Sequence, residues 1–272
     1  MRKRISILVL LVSAGTFQSV VALERTRLGL VQENEFSFLT GLEYQQGDYG
    51  TPYTTTLWSI PFNLSYRKEN YSFFASLPLL YAQSDGTINV SSKTTMRKKN
   101  APPSTTTSGQ QSASGIGDVV LSGSYYFMPD YRKEITYRVT GTIKLGTADE
   151  SDGLGTGEND FFLEGGAVKN IDEYILSGTL GYEISGDSPV YEYNDVFYGN
   201  LGLTKQLEKN QQMGASLYFS QALTDNTSAP LEISFFYRRP VSKDRDIYLY
   251  VSKGLSDGSP DIAAGGSMQF YF

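Results

Sequence analysis

The sequence predicts an all-β chain that folds as a 12-stranded antiparallel transmembrane β-barrel of the outer-membrane type. Three observations predict this fold: a last segment with alternating side chains, an even number of such segments, and connections that alternate between short and long. Bacterial single-chain barrels have even strand numbers, with short periplasmic turns opposite longer external loops. A secreted soluble β protein is the alternative, although a β-sandwich has no reason to alternate its connections so regularly.

The chain begins with the pattern of a signal peptide in residues 1–22. Residues 2–4 are cationic, residues 5–12 form an apolar core, and residues 20–22 are small or medium-sized, as at a signal-peptidase site. We therefore expect the mature barrel domain to cover residues 23–272. Because the apolar core is much shorter than the roughly 20 residues of a transmembrane helix, an integral protein with this sequence must span the membrane as a closed barrel.

Segments with a period of two, bounded by turn residues, predict twelve strands. They cover about residues 34–45, 53–67, 70–82, 116–128, 134–146, 160–169, 174–185, 195–206, 211–222, 231–239, 246–255 and 261–272. The short, charged connections are residues 67–70, 129–133, 170–173, 208–210 and 242–245. The longer connections are residues 46–52, 83–115, 147–159, 186–194, 224–230 and 256–260. We expect the longer class outside the cell and both chain ends on the periplasmic side.

The last predicted strand separates its side chains most clearly. One face carries Ile262, Ala264, Gly266, Met268, Phe270 and Phe272, and the other carries Ala263, Gly265, Ser267, Gln269 and Tyr271. A closing strand that ends in Phe resembles the C-terminal signature of bacterial outer-membrane barrels. We therefore expect the barrel-assembly machinery to be a partner that recognises the strand ending at Phe272.

Two other strands allow their faces to be assigned from the same period. The expected lipid-facing residues are Trp58, Ile60, Phe62, Leu64 and Tyr66 in one strand, and Ile135, Tyr137, Val139, Gly141, Ile143 and Leu145 in the other. The expected lumen-facing residues are Ser59, Asn63, Ser65 and Arg67, and Thr136, Arg138, Thr140, Thr142 and Lys144. Pro61 and Pro78 have no N–H to donate, so we expect local irregularity at both.

Composition excludes several classes of function. The chain has 23 Lys+Arg and 29 Asp+Glu, and loss of the three signal cations takes its net charge from −6 to −9, which argues against a nucleic-acid partner. There is no Cys for a disulfide or a thiolate, and no His for a Ser-His or Asp-His pair. We therefore predict no enzyme, no cofactor and no catalytic residue. The 20 Tyr, 15 Phe and 27 Gly suit aromatic girdles and a packed barrel wall.

Two motifs carry a family resemblance. Residues 114–119 read Ser-Gly-Ile-Gly-Asp-Val, and residues 144–147 read Lys-Leu-Gly-Thr before the glycine-rich stretch 153–160. Together with their spacing, these motifs resemble the outer-membrane transporters grouped as the meta-pathway phenol-degradation family. The resemblance implies a barrel that carries small aromatic or apolar compounds.

Charged residues on the predicted lumen face are the candidate site. The expected channel-lining residues are Glu43, Asp118, Arg138, Lys144, Glu164, Glu183 and Glu232. The carboxylates fall mostly near the external strand ends, whereas Arg67, Arg138, Lys169 and Arg238 fall near the periplasmic ends. If the turns set the strand registers, Asp118 faces Lys144 across two neighbouring strands, with Glu183 and Glu164 within one or two pairs. Either an acidic mouth favours cations or neutral polar solutes, or mutual ion pairs rigidify and plug the lumen.

Two long loops allow alternative uses. The loop 83–115 carries Lys93, Arg97, Lys98 and Lys99, which either line a constriction or contact lipopolysaccharide phosphates as part of an external loop. The segment 147–160 carries Asp149, Glu150, Asp152, Glu158 and Asp160. These carboxylates are either a solvated acidic hairpin or ligands for Ca²⁺, although their spacing is not that of an EF-hand, and we predict no metal site.

The fold and the resemblance together predict a function. A barrel of about twelve strands lies between a side-chain-filled barrel and an open aqueous pore, which predicts a narrow passage. We expect a porin-like channel in the bacterial outer membrane, surrounded by lipid and lipopolysaccharide, that passively passes small molecules. The alternative is a plugged structural barrel whose external loops bind a partner.

Overall fold

The computed structural model describes residues 34–86, 111–130, 135–186, 193–225 and 227–272. The signal peptide predicted for residues 1–22 and the cationic cluster of the loop 83–115 lie outside these residues. Among the described residues, no helix has both the length and the apolar character to cross a membrane.

Thirteen strands are present in the described residues. They are β1 (Asn34–Gly47), β2 (Thr55–Lys68), β3 (Tyr71–Ser84), β4 (Gln111–Ile116), β5 (Val119–Asp130), β6 (Ile135–Leu145), β7 (Asp160–Ile171), β8 (Tyr174–Ile184), β9 (Val196–Gln206), β10 (Gln212–Ser220), β11 (Leu231–Ser242), β12 (Arg245–Gly254) and β13 (Ile262–Tyr271). A single 3₁₀ turn, Glu208–Asn210, joins β9 to β10.

The strands form one closed antiparallel barrel. Each strand pairs with its neighbours in sequence order, and β1 closes the barrel on β13 from Ser37↔Tyr271 to Gln46↔Ile262. Both β4 and β5 pair with β3, so they are the two halves of one interrupted strand. The described residues therefore build a barrel of twelve strand positions, and the predicted fold is confirmed.

The interruption between β4 and β5 lies opposite Pro78. The pairing with β3 runs to Leu79↔Ile116 on one side and resumes at Ser76↔Val120 on the other, which leaves one extra residue on the interrupted strand. Gly117 N–H donates to the Pro78 carbonyl at 2.8 Å. Because proline supplies no N–H, a bulge here costs the sheet no donor, and it turns the following residue, Asp118, away from regular pairing.

The structure changes two predictions for this part of the barrel, the start of one strand and the irregularity at Pro61. The strand predicted for 116–128 begins earlier, because Gln111–Ile116 already pairs with β3, so the loop predicted for 83–115 is shorter than expected. Pro61 lies opposite Pro78 without a register shift between β2 and β3. On its other side, the pairing between β1 and β2 skips from Thr40↔Phe62 to Glu43↔Ser59, where Pro61 has no donor to offer.

The side chains are arranged inside out compared with a soluble protein. In β2, Ser59, Asn63 and Arg67 are buried, whereas Ile60 and Leu64 are exposed. The same pattern holds in β6, so the faces predicted for both strands are as expected. An exposed apolar band around a polar interior is stable against lipid and unfavourable in water. The outward aromatic pairs Tyr44–Trp58 and Tyr71–Tyr125, with ring centroids 4.8 and 5.1 Å apart, belong to this outer surface.

The connections divide the barrel into two ends. At the turn end, β2–β3 and β7–β8 are joined by two-residue turns, each with a positive φ at its first residue, Glu69 at 47° and Asp172 at 49°. At the loop end lie the longer connections, among them residues 48–54, 146–159 and 255–261. Short turns of this kind fix the register of the strands they join, and they thereby set which inward side chains meet.

Candidate functional site

The inward face of the barrel is the candidate site, because it gathers charged and aromatic side chains away from lipid. It contains three groups that the structure separates clearly. We call them the mouth ion cluster (Asp118, Lys144, Asp160), the inner apolar cluster (Leu57, Leu80, Ala82, Ala113, Ala148, Leu154) and the tyrosine–carboxylate wall (Glu164, Glu183, Tyr198, Tyr218, Glu232).

The mouth ion cluster lies near the loop end. Lys144 Nζ is 3.2 Å from Asp118 Oδ2 and 2.6 Å from Asp160 Oδ2, and it also donates to Thr156 Oγ1 at 3.3 Å. The pair of Asp118 and Lys144 predicted from the strand registers is therefore present. Asp160 accepts from Gly186 N–H at 2.9 Å as well, so one lysine ties the β4–β5 bulge to the start of β7 and the loop after β8.

The segment 146–159 folds back onto this cluster. Ala148 N–H donates to Asp118 Oδ1 at 3.0 Å, and Thr147 Oγ1 accepts from Val119 N–H at 3.0 Å. A Cβ at Gly155 would lie 2.6 Å from the Ala148 Cβ and 3.1 Å from Asp118 Oδ1. Only glycine therefore allows the returning chain to pack against the bulge, which accounts for this part of the glycine-rich motif.

The inner apolar cluster lies under the same segment. Leu154, which is 3% exposed, packs with Leu57 and Leu80 on the inner faces of β2 and β3. Ala82, Ala113 and Ala148 complete the cluster. A Cβ at Gly115 would lie 2.9 Å from Leu154 Cδ1, so this glycine makes room for the leucine. The segment is therefore held inside the barrel by apolar packing and is not the solvated hairpin that its carboxylates suggested.

The carboxylates of segment 147–160 have different partners and do not form one group. Asp160 belongs to the mouth ion cluster, while Asp149 Oδ1 accepts from Ser151 Oγ at 2.6 Å and Ser151 N–H at 2.8 Å. These hydrogen bonds, with one from Asp152 N–H, lower the pKa of the Asp149 carboxyl. Within the described residues, no group of three or more acidic side chains is arranged to hold a metal ion.

A second loop also inserts a side chain. Tyr49, in the loop between β1 and β2, is buried, and its hydroxyl accepts a hydrogen bond from Gln45 Nε2 at 3.2 Å. Burial raises the pKa of the Tyr49 hydroxyl, and the Glu232 carboxylate is close enough to act in the same direction. Tyr49 therefore covers the loop end of the tyrosine–carboxylate wall.

Near the turn end, the inward arginines are paired. Arg238 donates to Asp246 Oδ2 from Nε at 3.0 Å and from Nη2 at 2.5 Å, and Tyr271 OH donates to the same oxygen at 2.7 Å. Gln212 Oε1 accepts from Arg238 Nη1 at 3.2 Å. The four buried or half-buried side chains make a closed network, which fills this part of the lumen.

The other arginine of the turn end contacts an aromatic ring. Arg67 lies opposite Glu35 across β1 and β2, and its guanidinium carbon is 4.8 Å from the centroid of the Tyr126 ring. Glu35 and Asp246 accompany two of the arginines, so the excess of basic charge at this end is smaller than predicted. Lys169 is also misplaced by the prediction, because it lies on the exposed, outward face of β7.

The tyrosine–carboxylate wall takes one residue from each of five consecutive strands. Glu164 is on β7, Glu183 on β8, Tyr198 on β9, Tyr218 on β10 and Glu232 on β11, and all five are buried. Tyr218 lies directly opposite Glu232, and it is close enough to Glu164 and Glu183 for their charges to act on it. This group includes three of the predicted channel-lining carboxylates.

A glycine positions one ring of this wall. Glu164, Gly181 and Tyr198 are register partners across β7, β8 and β9. A Cβ at Gly181 would lie 2.3 Å from Tyr198 Cζ and 2.6 Å from its hydroxyl oxygen. The Tyr198 ring therefore lies flat over Gly181 and points its hydroxyl toward β7, where Glu164 stands and where the Phe162 ring centroid is 6.2 Å away.

The other predicted channel-lining residues, Glu43 and Arg138, lie at different positions on the inner wall. Glu43 is half-buried and close enough to Tyr248 and Tyr250 for its charge to act on their hydroxyls. Arg138 lies close to Glu164. The predicted set is thus distributed over the whole inner wall, with Asp118 and Lys144 as the pair in direct contact.

Sequence reasoning missed several inward residues. These are Glu35, Asp246, Tyr198, Tyr218, Tyr248 and Tyr250. A signal was available for Tyr248 and Tyr250, because they have the same parity as the polar residues Asp246 and Ser252 of their strand. Their aromatic character instead favoured a girdle position at the membrane interface.

Comparisons with known proteins agree with the geometry. The family model described as MetA-pathway of phenol degradation matches residues 40–272. The structure is similar to the COG4313 outer membrane channel from Pseudomonas putida F1, with a TM-score of 0.69 and 9% sequence identity, over 89% of this chain and 97% of that chain. No curated protein matches the sequence.

Two porins have a weaker likeness to the fold. The KdgM porin aligns with a TM-score of 0.54 and 11% identity, over 87% of this chain and 99% of its own. The NanC porin aligns with a TM-score of 0.53 and 11% identity, over 86% of this chain and 98% of its own. At these identities the likeness shows the fold alone.

Proposed function

Because the chain belongs to the family described as MetA-pathway of phenol degradation, we propose that it is a narrow porin-like channel of the bacterial outer membrane through which small molecules pass passively. The resemblance first noted in residues 114–119 and 144–160 is thereby confirmed. The observation that carries the proposal is the closed barrel with an apolar outside and a polar, aromatic inside. Because lipid does not contact the inner surface, its polar and aromatic side chains are available to solutes in the lumen.

The inner wall supports small aromatic solutes as cargo. Inward rings follow one another along β11 and β12, where the Phe236 and Tyr248 centroids are 6.0 Å apart and those of Tyr248 and Tyr250 are 6.1 Å apart. Phe162 and Tyr198 form a third pair on the wall. Ring pairs at these separations attract a further aromatic ring by offset or edge-to-face contact. A small aromatic compound therefore meets a succession of weak contacts along the lumen.

The surroundings of the barrel follow from its outer surface. We propose lipid and lipopolysaccharide as its neighbours, and the barrel-assembly machinery as the partner that recognises β13 and the exposed Phe272. The signal peptide in residues 1–22 remains a prediction that agrees with this route. With no His or Cys in the sequence, we expect passage without catalysis.

A second candidate function is a plugged barrel that acts through its loops. It is favoured by the inner apolar cluster, which holds segment 146–159 inside the barrel, and by the closed network around Arg238. In this case the lumen carries no flux, and the surface loops bind a partner.

Ion conductance across a planar bilayer separates the two functions. The refolded chain is inserted and measured under a salt gradient, first alone and then with phenol or cyclohexanol in the bath. A channel for small aromatics gives discrete current steps that phenol reduces more than cyclohexanol does, since the two probes have similar size and one ring is aromatic. A silent bilayer from protein confirmed as folded supports the plugged barrel and contradicts the proposed channel.

A further inference from the structure

The tyrosine–carboxylate wall contains buried polar atoms that the described residues do not satisfy. Glu164 Oε1 and Tyr198 OH, which face each other, do not reach hydrogen-bond geometry, and Glu232 Oε2 accepts no hydrogen bond from a described residue. Their side chains are 7%, 3% and 1% exposed, so their residues are more than nine-tenths buried. Buried polar groups are normally paired, because an unpaired one costs free energy. Buried polar atoms that the described side chains leave unsatisfied therefore mark a place where a bound group can supply hydrogen bonds.

The charge of the wall indicates what it meets. Arg138 is the described cation whose charge reaches Glu164, and no described cation acts on Glu232, whose polar neighbours include Ser259. The other buried or half-buried inward cations have their own partners: Lys144 contacts Asp118 and Asp160, Arg238 contacts Asp246, and Arg67 lies beside Glu35 and the Tyr126 ring. Within the described residues the wall therefore holds more negative charge than positive, and a bound group that donates hydrogen bonds and carries positive charge relieves both deficits.

The aromatic members narrow the chemistry of that group. Tyr198 and Tyr218 offer ring faces beside the carboxylates, and the Phe162 ring packs against Tyr198. Ring faces attract organic cations, whereas a hard metal ion requires a shell of several oxygen ligands, which the described acidic residues do not form. An ammonium group on an apolar or aromatic body satisfies the carboxylates and the rings together.

We propose that the tyrosine–carboxylate wall is a binding site for solutes that carry an organic ammonium group. The proposal rests on the proposed channel and names a class of its solutes. The ammonium N–H groups donate to Glu232 Oε2, the apolar body lies against the ring of Tyr218 opposite it, and Glu164 and Glu183 add negative charge near that ring. A neutral solute of the same size keeps the ring contacts and loses the charge-assisted hydrogen bonds.

A matched pair of probes tests the site on the refolded full barrel in detergent micelles. Isothermal titration calorimetry compares 2-phenylethylammonium chloride with 2-phenylethanol, and empty micelles provide the blank. The two probes have the same number of heavy atoms and differ in the terminal group. We expect the ammonium probe to bind at least about 10-fold more tightly, because charged hydrogen bonds are lost with the alcohol. Equal affinities, or no binding of the ammonium probe, would overturn the site.

Variants locate the binding within the barrel. Glu232→Gln and Glu164→Gln keep the side-chain shape and remove the charge. Glu232→Gln should weaken the ammonium probe about 10-fold and Glu164→Gln by a smaller factor, while each changes the affinity for the alcohol less than about two-fold. Glu173→Gln, in the exposed turn between β7 and β8, is the matched control and should change neither. If one of the two lumen variants fails to fold, the other variant, together with the two probes on the wild type, still tests the site. An undiminished affinity in the folded lumen variants counts against the site.

The calorimetric test of the ammonium site can fail or succeed independently of the conductance test of the proposed channel. Calorimetry needs no ion flow, so a barrel that is silent in bilayers can still bind the ammonium probe. Discrete current steps without preference for the ammonium probe would leave the channel standing and reject the site. Current steps that 2-phenylethylammonium blocks in the wild type, and blocks less in Glu232→Gln, support both.

Discussion

Two regions of the lumen use inward charges in opposite ways. In the mouth ion cluster, Lys144 is in contact with Asp118 and Asp160, and segment 146–159 folds over the contact. In the tyrosine–carboxylate wall, Glu164 and Glu232 each keep an oxygen that no described residue satisfies. The comparison teaches that an inward charge in a barrel does not by itself indicate a channel lining. Its neighbours decide whether it stabilises the fold or is available to a solute.

The energetic consequence is a difference in sign. Removing one member of a buried ion pair leaves the other charge uncompensated and is costly. Removing a buried charge that has no partner relieves a desolvation penalty and is neutral or favourable. Mutations that change charge in the two regions should therefore separate into two groups, and four measurements test or refine the separation.

The largest effect is expected at Lys144. Lys144→Met keeps the length of the side chain and leaves both Asp118 and Asp160 without their cation. We expect the free energy of unfolding to fall by about 3 kcal/mol, toward the low end for buried pairs because Lys144 is 14% exposed. Urea-dependent unfolding in lipid vesicles measures it. Lys253→Met is the control, since Lys253 lies on the exposed face of β12. Equal losses in the two variants would contradict the structural role of the cluster.

The next effect concerns the cover of the mouth ion cluster. Leu154→Ala removes most of the side chain that fixes segment 146–159 to Leu57 and Leu80. We expect local opening to become easier by about 2 kcal/mol, equivalent to about 30-fold faster cleavage after Glu150 by a glutamate-specific protease. Leu255→Ala, at a position 52% exposed in another loop, is the matched control and should change the rate little. An unaltered rate in Leu154→Ala would show that packing does not hold the segment.

The sharpest test of the comparison uses two carboxylates of similar burial. Asp160 is 2% exposed and 2.6 Å from Lys144, whereas Glu232 is 1% exposed and has no described cation near it. We expect Asp160→Asn to lower the free energy of unfolding by about 2 kcal/mol, and Glu232→Gln to leave it unchanged or raise it by up to about 1 kcal/mol. The same urea titration measures both. Losses of equal size would mean that the two regions do not differ as proposed.

The fold was predictable because its signal is local and repeated. The period of two and the alternation of connections recur along the chain, so an error in one strand leaves the others intact. The contact of Asp118 with Lys144 was predictable for the same reason, since register follows from the turns. The face predicted for Lys169 was wrong, because the preceding residues 165–168 are Gly, Gly, Ala and Val and show no alternation of apolar and polar side chains.

The candidate site was less predictable than the fold because its contacts are distant in sequence. Leu154 is a single apolar residue in an acidic, glycine-rich loop, and no local pattern indicates that it meets Leu57 and Leu80. Asp246 opens a predicted strand directly after a charged turn, and its pairing with Arg238 lies across the neighbouring strand, where no local pattern indicates it. Pairing and burial in the lumen depend on strand neighbours across the barrel, which a single strand does not specify.

The smallest effect concerns the exposed tip of segment 146–159, where Asp149 is held by Ser151 and Asp152. These hydrogen bonds lower the pKa of Asp149 in the folded loop. A carboxyl with a lowered folded-state pKa contributes stability above the pKa it has in the unfolded chain, and that contribution is lost as the pH falls through the folded-state value. We therefore expect the loop to be fully ordered at neutral pH and to loosen in the acidic range below the usual carboxyl pKa.

Hydrogen exchange of the loop amides, corrected for intrinsic rates, measures this loosening between pH 6 and pH 3. Asp118 accepts from Ala148 N–H and Glu150 lies beside Gly157, so other carboxylates also contact this segment and the wild type alone does not assign the effect. Asn at position 149 accepts the same hydrogen bonds without titrating, and Asp149→Asn should therefore keep more of its protection at pH 3 than the wild type does. If both lose protection equally, the hydrogen bonds that Asp149 accepts do not control the loosening.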